Sequence, residues 1–153
     1  MNQSSEKRKV LISPLGASKG LLFSALNILK PSLVIVLTSH EFAKAAEEVF
    51  ELTGQKNKVI LIMKDVYTGF SETENLISEA SEFFLNSDSI IINLTGGTTA
   101  MQWIMQAIYE NLKNKKHFVR RVAFIDRRDA VEQRKSPYVI GEIFEIDKIG
   151  KPA

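Results

Sequence analysis

At 153 residues, with 44% hydrophobic and 25% charged side chains, the chain is long enough for one ordinary domain with a real core and is globular in composition. It contains no cysteine, which excludes disulfides, thiolate metal sites and cysteine nucleophiles. A net charge of +2 is too small to argue for a nucleic-acid partner, so the placement of the charges matters more than their sum.

In chain order, the first eight residues, MNQSSEKR, are polar and lack the apolar centre of a signal peptide. No apolar run approaches the roughly 18 residues of a membrane helix. A soluble cytoplasmic protein is expected. "KVLIS" (Lys9–Ser13) is a short apolar run with no polar face, and "LVIVLT" (Leu33–Thr38), "VILIM" (Val59–Met63) and "IIINL" (Ile90–Leu94) resemble it. Runs without alternation suit strands buried on both faces of a parallel sheet. Helical spacing lies between them. Leu21, Leu22, Ala25, Ile28 and Leu29 share one face of a helix over Ser18–Leu29. Met101, Ile104, Met105, Ile108 and Leu112 share one face over Thr98–Leu112. "TSHE" (Thr38–Glu41) and "SETE" (Ser71–Glu74) have capping-box spacing at the starts of the second and third helices.

After four β-α repeats the pattern changes. "RVAFID" (Arg121–Asp126) predicts a fifth strand and "YVIGEIFEI" (Tyr138–Ile146) a sixth. The linker "RRDAVEQRKSP" is polar, ends in proline and shows no helix-length pattern, so the last two strands are expected to pair as an antiparallel hairpin. The expected fold class is α/β: a Rossmann-like, open, mainly parallel six-stranded sheet with helices on both faces, one domain spanning residues 1–153. Lys113, Lys115, Lys116, Arg120, Arg121, Arg127, Arg128, Arg134 and Lys135 crowd this late segment. They form either a solvated basic face or a rim that attracts a polyanion.

Ligands in such sheets bind beyond the carboxyl ends of the strands, at the topological switch point. The turn after the first strand is "SPLGASKG" (Ser13–Gly20), and that after the fourth is "TGGTT" (Thr95–Thr99). Gly96, Gly97, Thr98 and Thr99 make one candidate phosphate cradle, and Ser13, Gly16, Ser18 and Lys19 a second. Glycine admits an anion close to the backbone, hydroxyls donate hydrogen bonds, and helix N-termini carry unpaired N–H groups. The same residues also suit plain N-caps and tight turns. No Walker loop and no G-x-G-x-x-G is present, which disfavours P-loop and ordinary dinucleotide chemistry. Phe23 with Leu26, and Trp103 with Ala107, place a second apolar stripe on the first and fourth helices. Such stripes predict a homodimer through these two helices, the alternatives being a wide core face or stacking of Trp103 on a base.

"LISPLGASKGLLFSAL" followed by "IIINLTGGTTAMQW" resembles the CARF domain, the CRISPR-associated Rossmann fold, whose fourth-strand turn reads N-x-T-G-G-T-K-x-M. Asn93, Thr95, Gly96, Gly97, Thr98 and Met101 match that pattern in place, and the resemblance covers essentially the whole chain. Where the family often has lysine after "GGT", this chain has Thr99. The resemblance implies a homodimer that binds a cyclic oligoadenylate, most often cyclic tetra-adenylate, across its twofold axis. A CARF domain without a fused effector most resembles a ring nuclease, which degrades this messenger of type III CRISPR systems. Alternatives are a binding module that holds the ring intact, as sensor or sink, and an unrelated nucleotide-phosphate enzyme.

The resemblance further implies ligand contacts from Leu15, Gly16 and Ala17 in the first turn and from Thr38, Ser39 and His40 in the second. The fourth turn and its helix would contribute Asn93, Thr95, Gly96, Gly97, Thr98, Met101 and Gln102, and the fifth Arg127 and Arg128. Ser13, Ser18, Lys19 and Thr99 are the catalytic candidates. Each ribose of the ring carries its own 2′-hydroxyl nucleophile, so cleavage needs orientation and charge stabilisation rather than a metal or organic cofactor. The two histidines, His40 and His117, lack ligand-spaced partners. No membrane and no duplex nucleic acid is expected as a partner.

Overall fold

The computed structural model describes Lys7 to Lys148. Residues 1–6, which carry most of the polar leader, and 149–153 lie outside the described residues. The elements are β1 (Lys9–Pro14), α1 (Lys19–Leu29), β2 (Leu33–Thr38), α2 (His40–Thr53), β3 (Lys58–Ile62), α3 (Thr73–Ser81), β4 (Ser89–Asn93), α4 (Thr99–Asn114), β5 (Val119–Ile125), α5 (Ala130–Lys135) and β6 (Glu142–Glu145). They build one six-stranded sheet of order β3-β2-β1-β4-β5-β6. Strands β1 to β5 are parallel, and β6 runs antiparallel to β5 with Val122 opposite Glu145 and Ile125 opposite Glu142. The fold is the expected Rossmann-like α/β sheet.

The non-alternating runs of β1, β2 and β4 are buried on both sides, as a sheet covered on both faces requires, while that of edge strand β3 is partly exposed. Val10, Ile12, Ile35 and Ile92 pack with Leu76 and Ala80 of α3 and Ile104 and Met105 of α4. Leu11, Val34, Val36 and Ile91 face the other way, onto Leu22, Ala25 and Leu26 of α1 and Val49 and Phe50 of α2. Each such side chain contributes about 1.5–3 kcal/mol when fully buried. The chain order reverses between β1 and β4, so their carboxyl ends define the switch point.

Two local expectations need correction. Ser39, not Thr38, caps α2 by accepting from the Phe42 N–H at 3.3 Å. Thr38 is fully buried at the end of β2, its hydroxyl donating to the Leu15 carbonyl at 2.7 Å. Ser71 does not cap α3 either. It lies in a 3₁₀ turn, Gly69–Glu72, from which Glu72 accepts the Lys64 and Asp65 N–H groups.

The sixth strand is shorter than predicted, because residues 136–141 run as a strap across α1 instead. The Ser24 hydroxyl donates to the Val139 carbonyl and accepts from the Gly141 N–H. The linker before it contains the short helix α5, capped by Asp129 accepting from the Glu132 N–H at 2.9 Å.

Candidate functional site

Asn93 organises the switch point. It is the last residue of β4 and fully buried. Its Oδ1 accepts from the Thr95 N–H at 2.9 Å, turning the chain out of the strand, and its Nδ2 donates to the Ser13 Oγ at 2.9 Å. The Thr95 hydroxyl accepts from the Phe124 N–H at 2.8 Å, tying the turn to β5. Gly96 and Gly97 then take φ values of 93° and 78°, a backbone that L side chains avoid. A Cβ on Gly97 would meet the Met101 Sδ at 2.6 Å and the Pro14 Cβ at 3.1 Å. Thr98 caps α4 by accepting from the Met101 N–H at 3.2 Å, and its own hydroxyl donates to the Val66 carbonyl of the third loop. The Gln102 Nε2 donates to the Gly96 carbonyl at 2.6 Å.

The first turn abuts the fourth. A Cβ on Gly16 would lie 3.1 Å from the Gly97 Cα, so the two backbones touch. Ala17, Ser18, Gly97 and Thr99 are exposed along this edge, with Gly16, Gly96, Thr98 and Ser39 half-buried and His40 exposed at the start of α2. The Ser18 side chain makes no cap hydrogen bond to α1. These residues lie at three helix starts and two glycine turns, the geometry that suits an anion.

Several expected ligand contacts are part of the scaffold instead. Leu15 and Met101 are core residues, and Thr38 and Asn93 are fully buried. Ser13 is fully buried, its hydroxyl donating to the Pro14 carbonyl and accepting from Asn93, so it holds the turns from beneath and has no access to a ligand. The Lys19 ammonium turns to α2, pairing with Glu48 at 3.2 Å and lying 5.3 Å from the centre of the Tyr138 ring. Tyr138 donates to the same carboxylate at 2.5 Å. Hydrogen bonds from Tyr138 and Lys19 hold the Glu48 carboxyl below the usual carboxylate range, and those with Tyr138 and Glu48 hold the Lys19 ammonium above the usual range. Burial, with the Glu48 contact, pushes the Tyr138 phenol up.

Four arginines of the late basic segment are paired within the chain. Arg120 pairs with Glu145, Arg121 with Asp147 at 2.6 Å, Arg127 with Glu142 at 2.6 Å and Arg128 with Asp126 at 2.8 Å. Arg121 also lies 3.9 Å above the Tyr109 ring. The guanidinium contact with Arg128 holds the Asp126 carboxyl below its usual range. Arg127 and Arg128, expected at the ligand, are thus engaged with carboxylates of β6 and of the β5 end. Sequence reasoning missed Glu48 and Tyr138, which lie 29 and 90 residues from their partners in the cluster. It also missed α5, for which the D-x-x-E spacing of Asp129 and Glu132 was the available signal.

The second apolar stripe stays open on only one of the two helices. Leu26 is buried and Phe23 packs on Tyr138, ring centres 5.2 Å apart, so the strap covers the stripe of α1. Trp103 on α4 is 59% exposed and meets Phe70, 41% exposed, edge to face at 6.1 Å. Tyr67 in the same third loop is also exposed. No described helix is long and apolar enough to cross a membrane, and among the described residues no three His, Asp or Glu side chains are grouped to hold a metal ion.

The topology and the switch-point turns define a Rossmann-like α/β protein. No family model matches the chain, and no curated protein matches it. Among solved structures it is similar to Can2 from Sulfobacillus thermosulfidooxidans in complex with cyclic tetra-adenylate, with TM-score 0.58 and 16% identity over 76% of this chain. It is also similar to a Listeria monocytogenes protein ascribed to the UDP-N-acetylglucosamine 2-epimerases, with TM-score 0.50 and 16% identity over 76% of this chain. The matches cover only 32% and 31% of those longer chains, and at such identity the likeness is one of fold.

Proposed function

We propose that the chain is a CARF-like domain that binds a cyclic oligoadenylate, cyclic tetra-adenylate foremost, over the β1 and β4 turns and opens the ring. The observation that carries this is the contact of two glycine turns at the switch point, each leading into a helix of 11 residues or more. Phosphates of a ring fit the N–H groups that begin α1 and α4 and the hydroxyls of Ser18 and Thr99. The fold likeness to a protein holding cyclic tetra-adenylate supports the same ligand. Two copies meet through the open flank of α4, at Trp103 and Phe70, and bring two such edges to one even-numbered ring. The setting is a cytoplasmic antiviral response.

In the reaction a ribose 2′-oxygen attacks the adjacent phosphorus as the phosphorus–O5′ bond breaks. The 2′-hydroxyl loses its proton and the departing 5′-oxygen gains one. The product is a linear adenylate with a 2′,3′-cyclic phosphate. The start of α4 stabilises charge on the phosphoryl oxygens, and Ser18 and Thr99 orient the ribose. The position of Lys19 against Glu48 favours a second reading, a binding module that releases the ring intact, because the one lysine at the first turn is drawn away from the cradle.

The test is incubation of the purified protein with radiolabelled cyclic tetra-adenylate in EDTA, resolved by chromatography. Linear products with a cyclic phosphate end are expected. Intact ring that travels with the protein selects the binding module, and intact ring without binding rejects both.

A further inference from the structure

A cavity of about 420 Å³ lies beside the cradle, between the start of α1 and the segment that carries α5 and Pro137. It is within the size range of small-ligand pockets. The backbone builds it closely. A Cβ on Gly20 would come within 2.3 Å of the Pro137 carbonyl, so α1 and the strap meet without a side chain between them. Arg128 closes the outer loop, bonding the Asp126 carboxylate at one end and the Ser136 carbonyl, at 2.9 Å, at the other. This gives Arg128 a framing role that its expected ligand contact did not include.

The lining has a definite chemistry. Leu21, Ala130 and Pro137 give apolar walls, and Ser18, Gln133 and Arg134 give polar groups. Gln133 is fixed in place, because its Nε2 donates to the carbonyls of Asp126 at 3.2 Å and Arg128 at 2.7 Å. With both donors held, its Oε1 remains an acceptor. The Asp126 carboxylate on the wall is neutralised by Arg128, whereas Arg134 has no ion pair among the described residues. The cavity therefore combines apolar walls, one fixed acceptor and one cation without an ion pair among the described residues. Leu21 also borders the cradle, lying 3.7 Å from the Cβ position of Gly96.

We infer that this cavity holds one purine nucleotide unit. The base lies between Leu21, Ala130 and Pro137 and donates its exocyclic amino group to the Gln133 Oε1, and Arg134 meets the phosphate. This rests on the cyclic oligoadenylate reading and deepens it: one base of the ring leaves the plane over the glycine turns and enters the cavity. The amino group then distinguishes adenine from hypoxanthine, which presents a carbonyl there and would set two acceptors against each other.

The experiment is a titration of ¹⁵N-labelled protein with adenosine 5′-monophosphate, followed by amide shifts. Saturable shifts are expected at Gly20, Ala130 and the Gln133 side-chain amide. Inosine 5′-monophosphate should bind more weakly by about tenfold, the loss of one hydrogen bond at the half-buried Gln133 Oε1. Ala130→Trp, at an exposed position, fills the slot and should abolish the shifts while the rest of the spectrum keeps its dispersion. Arg134→Gln should weaken binding of the monophosphate but not of adenosine. Shifts that are absent, that map elsewhere, or that survive Ala130→Trp overturn the inference. A parallel titration with cyclic tetra-adenylate separates it from the reading it rests on. Ring binding without nucleotide shifts in the cavity rejects the cavity alone. Nucleotide shifts in the cavity without ring binding reject the ring as ligand and leave a nucleotide site.

Discussion

Phe23 on α1 and Trp103 on α4 occupy equivalent places, each early in a helix that follows a glycine turn at the switch point, yet only Trp103 stays open to solvent. The difference comes from what the chain does about 110 residues later. Residues 136–141 cross α1, where Tyr138 covers Phe23 and Ser24 bonds the strap at two points. Trp103 instead stays 59% exposed, with Phe70 meeting the indole edge to face. An apolar stripe on a helix thus has two possible fates, a segment of its own chain or a partner. Helical periodicity cannot tell which, since it records only that the stripe exists.

The largest effects should fall in the core beneath the strapped flank. Leu26→Ala removes a core side chain beneath the strap and should cost about 2–5 kcal/mol, read from denaturant unfolding. Trp103→Ala on the opposite flank should change monomer stability by under about 0.5 kcal/mol, as for other surface positions. It should instead abolish self-association in sedimentation. An equal loss of stability in both variants would erase the distinction between the flanks.

Gly97→Ala comes next. A side chain at φ 78°, forced against Met101 and Pro14, should cost about 1–3 kcal/mol and weaken ring binding as well, measured by thermal unfolding and calorimetry. Gly54, also at positive φ but with open space around it, is the control: Gly54→Ala should cost less and leave binding unchanged.

The clamp on the α1 flank should show its electrostatic nature through pH. The Glu48 carboxyl is held low, so its stabilising part is present above the usual carboxylate range and is lost as pH falls through the lowered value. Lys19 is held high, so its part is present below the usual ammonium range and is lost as pH rises through the raised value. The melting-temperature difference between the protein and its Glu48→Gln variant should be greatest near neutrality and shrink on both sides. A flat difference would mean that the carboxylate matters only for packing.

The smallest effect tests the departure at Thr99. Thr99→Lys places a cation in the first turn of α4, where the helix dipole disfavours it by about 0.3–1 kcal/mol. Stability should fall slightly while affinity for cyclic tetra-adenylate rises. A fall in both would place the phosphate away from this residue.

The fold was legible to the extent that burial on two faces leaves a mark on composition. The apolar runs at β1, β2 and β4 lack polar alternation because helices cover both sides, and each became a strand. The sixth strand was overextended because Tyr138, Val139 and Ile140 satisfy a strand pattern equally well when they lie over a helix. At the fourth turn, Gly96 and Gly97 were legible, since a turn at positive φ admits few other residues, whereas Asn93, expected at the ligand, is buried scaffold. Ser13 was misread. Its hydroxyl looks the same in sequence whether it faces a ligand or an asparagine beneath the surface.

By itself, the sequence determined the order of the six strands and the first four helices, the sharp turn after β4 and the absence of thiol chemistry. These follow from short-range periodicity, backbone conformation and composition. Only the tertiary structure decided that Lys19 turns to Glu48, that four arginines are neutralised within the chain, that the strap closes one flank, and that α5 walls a cavity. Those outcomes depend on which charges and faces the sheet brings together across as many as 117 residues, and no local pattern encodes such a distance.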